Sequence, residues 1–199
     1  MIRLATKDDL LSITQLVKEA KQIMEEFNNN QWDDEYPAKE HFEEDIENKT
    51  LYVLDVDHTI YGFIVIDQNQ SEWYDDIDWP VNRNGAYVIH RLAGSKQYKG
   101  AATELFQFAM DLANEHDIHV ILTDTFALNK PAQGLFEKFG FTKVDEIEID
   151  YHPFDRGAPF MLIIKTYKNR GCNYDKNCIY RWRNSRTCFS EFKFNSYFD

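Results

Sequence analysis

The sequence contains no long apolar run. No stretch approaches the roughly 20 apolar residues that a membrane-spanning helix requires, and residues 1–4 are not followed by the apolar core of a signal peptide. We therefore expect a cytoplasmic protein with no membrane partner.

Patterns for metal ions and disulfide bonds are missing as well. The three cysteines, Cys172, Cys178 and Cys188, have no Cys-x-x-Cys spacing, and the six histidines include no His-x-x-x-His pair. An odd number of thiols cannot form a complete disulfide framework, and the spacings do not match a zinc site. We expect no metal and no disulfide framework.

Positive charge is scarce. The chain has 22 Lys and Arg against 34 Asp and Glu, a formal net charge of -12. Such a chain repels a phosphate backbone, so we expect no nucleic-acid partner. The acidity either serves solubility or favours cationic substrates, and the sequence leaves both readings open.

The chain has enough apolar residues for a core. Of its 199 residues, 43% are hydrophobic and 15% aromatic, which suits one domain with or without an appendage. Apolar periodicity predicts seven strands, at residues 2–4, 50–56, 60–67, 86–92, 119–125, 141–149 and 159–166. It predicts four helices, at residues 6–27 (capped by Thr6), 39–46, 101–113 and 131–139. The order predicts a mixed α/β fold whose last two strands are antiparallel.

Residues 91–103 form the segment most suggestive of chemistry. A strand ends, a short loop follows, and a long helix begins. The unpaired N–H groups and partial positive charge of a helix start bind phosphates. The spacing matches neither a P-loop nor Gly-x-Gly-x-x-Gly, and an ordinary strand-to-helix turn is the alternative.

Three motifs resemble the GNAT family of N-acetyltransferases. Gln97-x-x-Gly100-x-Ala102 resembles the family's pyrophosphate loop. Residues 129–141 are similar to its Asn-x-x-Ala-x-x-Leu-Tyr-Glu-Lys-x-Gly-Phe helix and strand, and residues 2–9 to its opening Ile-Arg-x-Ala-Thr-x-x-Asp. The resemblance covers residues 1–167 and implies an acyl-CoA N-acyltransferase fold, with helices on both faces of the sheet.

The resemblance also implies an activity: an acetyl-CoA-dependent N-acetyltransferase that acts on a primary amine of a small molecule or peptide. The implied pyrophosphate ligands are backbone groups of Gln97, Tyr98, Lys99, Gly100, Ala101 and Ala102. Leu92 and Ala93 would pair with the pantetheine arm, and an N–H near Leu92 would polarise the thioester carbonyl. Asn129 would contact the arm beside the sulfur, cap the following helix, or do both.

The acid step departs from the family pattern. Phe136 occupies the cofactor-site position where many relatives have a tyrosine that protonates the leaving thiolate. Phenylalanine cannot donate a proton, so either Tyr151 or Tyr87 supplies it, or the thiolate leaves unassisted. Two alternative functions stay open: transfer of a longer acyl group, and a sensor that binds acyl-CoA without turnover.

His90 and Glu35 are the candidates for the general base. An imidazole suits proton transfer at neutral pH, but strand side chains alternate, so only one of His90 and Arg91 can face the substrate. Glu35 lies in an acidic segment that is either part of the acceptor side or simply solvated. Asp124 is expected to be structural.

Two further segments are distinctive. The aromatic and acidic residues 73–79 either bind a cationic amine or pack on their own rings. Residues 168–199 carry seven basic and three acidic residues, a net +4 against -16 for residues 1–167. We expect this C-terminal extension, with alternating Phe192, Phe194 and Phe198, to stabilise packing or a homodimer rather than to do chemistry.

Overall fold

The computed structural model describes residues 1–150 and 159–167 of the chain. These residues form seven strands: β1 (Ile2–Leu4), β2 (Leu51–Val56), β3 (Thr59–Asp67), β4 (Tyr87–Gly94), β5 (Val120–Phe126), β6 (Thr142–Ile147) and β7 (Phe160–Thr166). They also form four α-helices: α1 (Leu10–Glu25), α2 (Lys39–Glu47), α3 (Ala101–Glu115) and α4 (Lys130–Lys138). The predicted mixed α/β fold is confirmed.

The first helix begins where the sequence predicts. A 3-10 turn, Lys7–Asp9, precedes α1, and the Asp9 carboxylate accepts hydrogen bonds from the Thr6 N–H (2.8 Å) and hydroxyl (3.0 Å). These bonds satisfy groups that a helix start leaves unpaired. The helix ends two residues earlier than predicted, at Glu25.

All seven strands belong to one sheet, in the order β1-β2-β3-β4-β5-β7-β6. In the described residues, β4 and β5 are the parallel pair and the other neighbours are antiparallel. A parallel pair needs a crossover, which α3 provides. The final strand β7 inserts between β5 and β6, so β6 becomes an edge strand.

Helices cover both faces of the sheet, as predicted. Helices α1 and α2 pack on one face around Ile13, Phe42 and Phe63. Helix α3 packs on the other face, where Phe106 stacks near Phe136 of α4. The sheet thus separates two cores. No helix of the described residues is long and apolar enough to cross a membrane.

The aromatic and acidic segment packs on itself. Its middle forms a 3-10 turn, Glu72–Asp76, and Trp73, Tyr74 and Trp79 are buried against the sheet. The indole of Trp79 donates to the Tyr74 carbonyl (2.7 Å). The rings are core residues, so they do not form an exposed surface for cations. Tyr151 and the C-terminal extension lie outside the described residues.

A buried ion pair joins α2 to the central strand. The guanidinium of Arg91 on β4 donates to Asp45 Oδ1 at 2.7 Å, and each side chain is only 10% exposed. The guanidinium also lies 5.8 Å and 5.7 Å from the ring centres of Tyr36 and Phe42. This contact fixes α2 over β4.

We expect Asp45→Asn to lower the free energy of unfolding by about 3–5 kcal/mol, because Arg91 would stay buried without a counter-charge. Urea unfolding at pH 7 measures the change. The matched control is Glu47→Gln on the same helix, which breaks an exposed pair with Lys7 and should cost less than about 1 kcal/mol. Equal losses in the two variants would show that Asp45 does not neutralise Arg91.

Candidate active site

The sheet opens between its two parallel strands. Pairing of β4 with β5 covers three positions and ends where Ile89 meets Thr123. The hydroxyl of Thr123 donates to the Ile89 carbonyl (2.9 Å) at this point. Both strands continue without pairing to each other, β4 to Gly94 and β5 to Phe126. We call the gap between residues 90–94 and 124–126 the fork.

A β-bulge lies at the base of the fork. The β3–β4 register pairs Val65 with Arg91 but Ile66 with Ile89, so His90 is an extra residue in β4. A bulge interrupts strict alternation and redirects a side chain. Arg91 therefore turns into the α2 core, while His90 lines the cleft at the fork. As expected, one of the two residues faces that cleft.

The tautomer of His90 follows from its partner. His90 Nε2 lies 2.7 Å from Asp67 Oδ1. Burial raises the pKa of Asp67, but hydrogen bonds from His90 and Asn69 bring it below the ordinary carboxyl value. An ionised carboxylate only accepts hydrogen bonds, so Nε2 carries the hydrogen, and the neutral form of His90 has its lone pair on Nδ1. His90 can therefore accept a proton at Nδ1.

The loop after β4 is held by its side chains. The buried hydroxyl of Ser95 donates to Glu19 of α1 (2.9 Å) and accepts from the Gln97 N–H (3.2 Å). The ring of Tyr98 packs on Tyr61, with centroids 5.3 Å apart. These contacts hold the loop between β4 and α3.

Several N–H groups of this loop stay unpaired. In the part of the chain that the structure describes, no acceptor binds the N–H of Lys99, Gly100, Ala102 or Thr103. Gly100 adopts the left-handed region (φ 97°), which glycine enters at no steric cost. Together with the α3 dipole, these groups form a positive cradle suited to a phosphate.

Close packing sets this cradle beside the fork. A Cβ on Gly94 would lie 2.8 Å from the Ala102 nitrogen and 2.9 Å from the Ala101 Cβ. The end of β4 can therefore meet the first turn of α3 because residue 94 has no side chain. A phosphate bound at the start of α3 and an extended chain bound along β4 could therefore be parts of one ligand.

A cleft of about 480 Å³ occupies the fork. Six of the predicted site residues line it: His90, Leu92, Ala93, Ala102, Asn129 and Phe136. Gln97, Tyr98, Lys99, Gly100 and Ala101 are not in its lining and form the turn that leads from β4 into α3. Glu35 is also outside the lining; it is exposed, and its N–H donates to Asp33 (2.9 Å).

Asn129 caps α4. Its side-chain oxygen accepts from the Ala132 N–H (3.3 Å), and its amide nitrogen donates to Gln31 (3.3 Å). The Gln31 oxygen also accepts from the hydroxyl of Thr125 (3.1 Å) and the N–H of Phe126 (3.3 Å). Gln31 thus ties the loop after α1 to the β5 arm of the fork.

Phe136, at the family's acid position, and Tyr87, a candidate donor in its place, lie in different parts of the site. Phe136 is buried, lines the cleft, and packs on Phe106 with centroids 5.6 Å apart. Tyr87 stands at the opposite end of β4, where its hydroxyl bonds His116, and it does not line the cleft. Tyr87 is therefore not placed to protonate a leaving group at the fork.

Gln31 and Asp124 line the cleft and lie outside the sequence motifs, and Lys138 lies within the 129–141 motif but was assigned no role there. The ammonium of Lys138 lies 3.5 Å from the hydroxyl of Thr103 in the first turn of α3, which adds a cation beside the cradle. An acidic residue before the Asn129 motif was the available signal for Asp124. No signal pointed to Gln31, which is placed by packing. Among the described residues no acidic, His or Cys cluster could hold a metal ion.

Comparisons with known proteins agree with this geometry. The model of the acetyltransferase (GNAT) family matches residues 14–141. A Staphylococcus aureus Mu50 protein, described as a candidate acetyltransferase, is 56% identical with a TM-score of 0.68, over 84% of this chain and 99% of that one. A GNAT-family acetyltransferase from Streptococcus agalactiae 2603 is 24% identical with a TM-score of 0.72, over 85% and 96%.

A third structure, from Salmonella typhimurium, was solved with its cofactor acetyl-CoA. It is 15% identical with a TM-score of 0.61, over 86% of this chain and 96% of that one, and shows a shared fold. No curated protein matches the chain. The family match spans more than half of the sequence and includes both arms of the fork. The chain therefore belongs to the GNAT family of acetyltransferases.

Proposed function

We propose that this protein transfers the acetyl group of acetyl-CoA directly to a primary amine of a small molecule or peptide. The observation that carries the proposal is the fork, which opens beside the unpaired N–H groups at the start of α3. N–H groups at the start of α3 suit a diphosphate, the unpaired side of β4 suits an extended arm, and a backbone N–H of β4 suits a reactive carbonyl.

Successive parts of acetyl-CoA would contact successive residues of the site. The N–H groups of residues 99–103 would hold the pyrophosphate, with Lys138 as a nearby cation. On the side facing the fork, residues 90–94 have no partner strand among the described residues, so Leu92 and Ala93 can pair with the amide-containing arm. When bound, acetyl-CoA supplies a thioester carbonyl that an amine can attack. A free N–H near Leu92 would stabilise negative charge on that oxygen.

The acceptor would enter from the face opposite α3 and α4. Residues of α1 and of the following loop line the cleft from that face, and His90 lies there with Asp67. An amine is protonated at neutral pH and must lose a proton before it attacks. We propose that Nδ1 of His90 takes this proton. Glu35, outside the cleft lining, is the weaker candidate.

A sensor that binds acyl-CoA without turnover is the second reading. It is favoured by Phe136, whose ring occupies the cleft where a proton donor would be useful. The free lone pair on His90 favours an enzyme. Thiol release from acetyl-CoA over a panel of primary amines separates the two readings, because a sensor binds coenzyme A and releases no thiol.

Coenzyme A is expected to raise the melting temperature, and Gly100→Asp is expected to abolish this rise. Binding at 100 times Kd stabilises a fold by about 2.7 kcal/mol, and the new carboxylate would repel the pyrophosphate. Thermal unfolding with and without coenzyme A measures both. Gly100→Asn is the matched control, since it adds the same bulk in the same backbone region without charge. An Asp variant that keeps the full rise would place the phosphates elsewhere.

His90→Gln should lower kcat by about 100-fold or more, the typical contribution of a general base. The loss should appear with the best amine of the panel in a steady-state thiol assay. The rise in melting temperature with coenzyme A should stay the same. His58→Gln, in the β2–β3 turn, serves as the control. Turnover within threefold of wild type would assign the proton transfer to another group.

Phe136→Tyr should raise kcat by about tenfold, because the hydroxyl restores a proton donor for the leaving thiolate. Phe139→Tyr, which lies at the end of the same helix and does not line the cleft, should leave kcat unchanged. If Phe136→Tyr binds coenzyme A and shows no rise, thiolate departure does not limit turnover.

A further inference from the structure

Asp124 occupies a special position in β5. It is the first residue after Thr123, the last residue that pairs with β4, and it lines the cleft. Across the fork, His90 follows the last paired residue of β4. Both side chains line the same cleft. Asp124 thus stands at the base of the fork, on the route of any acceptor.

Its carboxylate has no cationic partner among the residues that the structure describes. Asp45 pairs with Arg91, and Asp67 with His90. Within the described residues, no Lys, Arg or His lies within 4.0 Å of Asp124. Burial raises the pKa of this carboxyl, and the Tyr74 hydroxyl and the charge of His90 only partly oppose the rise. A buried carboxylate without a counter-ion favours a cationic ligand.

A buried hydroxyl orients the carboxylate. Tyr74 is fully buried, and its hydroxyl donates to Asp124 Oδ1 at 2.7 Å. The Tyr74 ring is itself held between Trp73 and Trp79, with centroids 4.7 Å and 5.3 Å away. No hydrogen bond from a described residue reaches the other oxygen, Oδ2. The core therefore fixes one oxygen of a carboxylate that lines the cleft.

The wall of the cleft near α1 is apolar. Ala20, Ile23, Met24 and Phe27 follow helical spacing and line the cleft together, with Trp32 from the next loop. Phe27 is 39% exposed although it is a large apolar residue. Such a stripe would bury the carbon skeleton of an acceptor.

We propose that Asp124 binds the ammonium group of the acceptor. The apolar wall formed by Ala20, Ile23, Met24, Phe27 and Trp32 would contact an apolar group of about the size of an aromatic ring. This inference rests on the proposed function, since it names the substrate class of the same cleft. The charge pair holds the nitrogen at the fork, and the proton then passes to Nδ1 of His90: an N–H bond breaks, its electron pair stays on nitrogen, and an N–H bond forms on the imidazole. The charge of the ammonium favours the ionised form of Asp124, and Asp124 takes no proton in this step.

The test compares 2-phenylethylammonium with its neutral counterpart 2-phenylethanol, each titrated into the protein with coenzyme A in calorimetry. The wild type should bind the cation about tenfold or more tightly than the alcohol, the range for a charged hydrogen bond. Asp124→Asn should bring this ratio to about one, with the Kd of coenzyme A unchanged. Asp75→Asn is the matched control. Asp75 follows Tyr74 in the same acidic segment, but it pairs with Arg83 and does not line the cleft.

Equal binding of the cation and alcohol by the wild type, or a preference retained in Asp124→Asn, would overturn the inference. If Asp124→Asn does not fold, Asp124→Thr replaces it, since threonine occupies both neighbouring positions of β5. Thiol release from acetyl-CoA is measured in parallel. A lost preference without thiol release in the wild type would refute the proposed function alone, whereas equal thiol release in wild type and variant would refute the role of Asp124 alone.

Discussion

The separation of β4 from β5 is the constraint on which the rest of the site depends. Their ladder stops at Ile89 and Thr123, whereas each strand pairs over a longer stretch with its outer neighbour. β3 accompanies β4 to Gly94, and β7 accompanies the whole of β5. An unpaired strand side costs free energy inside a protein, and a ligand that forms hydrogen bonds to it removes that cost. The gap is therefore the proposed cofactor site, and backbone groups line it.

The two faces of the sheet contribute opposite charges to this gap. On the α3 face, unpaired N–H groups, the helix dipole and Lys138 favour an anion. On the α1 face, Asp124, which lines the cleft, favours a cation. An anionic donor and a cationic acceptor would thus approach from different sides and meet at the fork. In this proposal, one of the acidic residues behind the net charge of -12 binds the acceptor.

The buried pair of Arg91 and Asp45 positions α2 on β4 more than it adds to the net stability of the fold. Burial raises the pKa of Asp45, and the attraction of Arg91 opposes this rise without cancelling it. Desolvation thus offsets much of the Coulomb attraction, as is usual for buried pairs. The pair nevertheless defines where α2 meets β4, one residue from the bulge. It keeps Arg91 out of the cleft and leaves that place to His90.

Local sequence determined the elements and the family. Periodicity located all seven strands and all four helices of the described residues, because side-chain alternation and helical spacing depend on neighbours only. The motif at Gln97 and Gly100 predicted a phosphate cradle, since helix starts bind anions wherever they occur. Tertiary structure decided the rest. The bulge at His90, the gap at Thr123, and the meeting of Asp124 with Tyr74, 50 positions apart, arise from pairing and packing between distant segments. Spacing along a chain carries no information on such contacts, because they form only when the sheet has assembled.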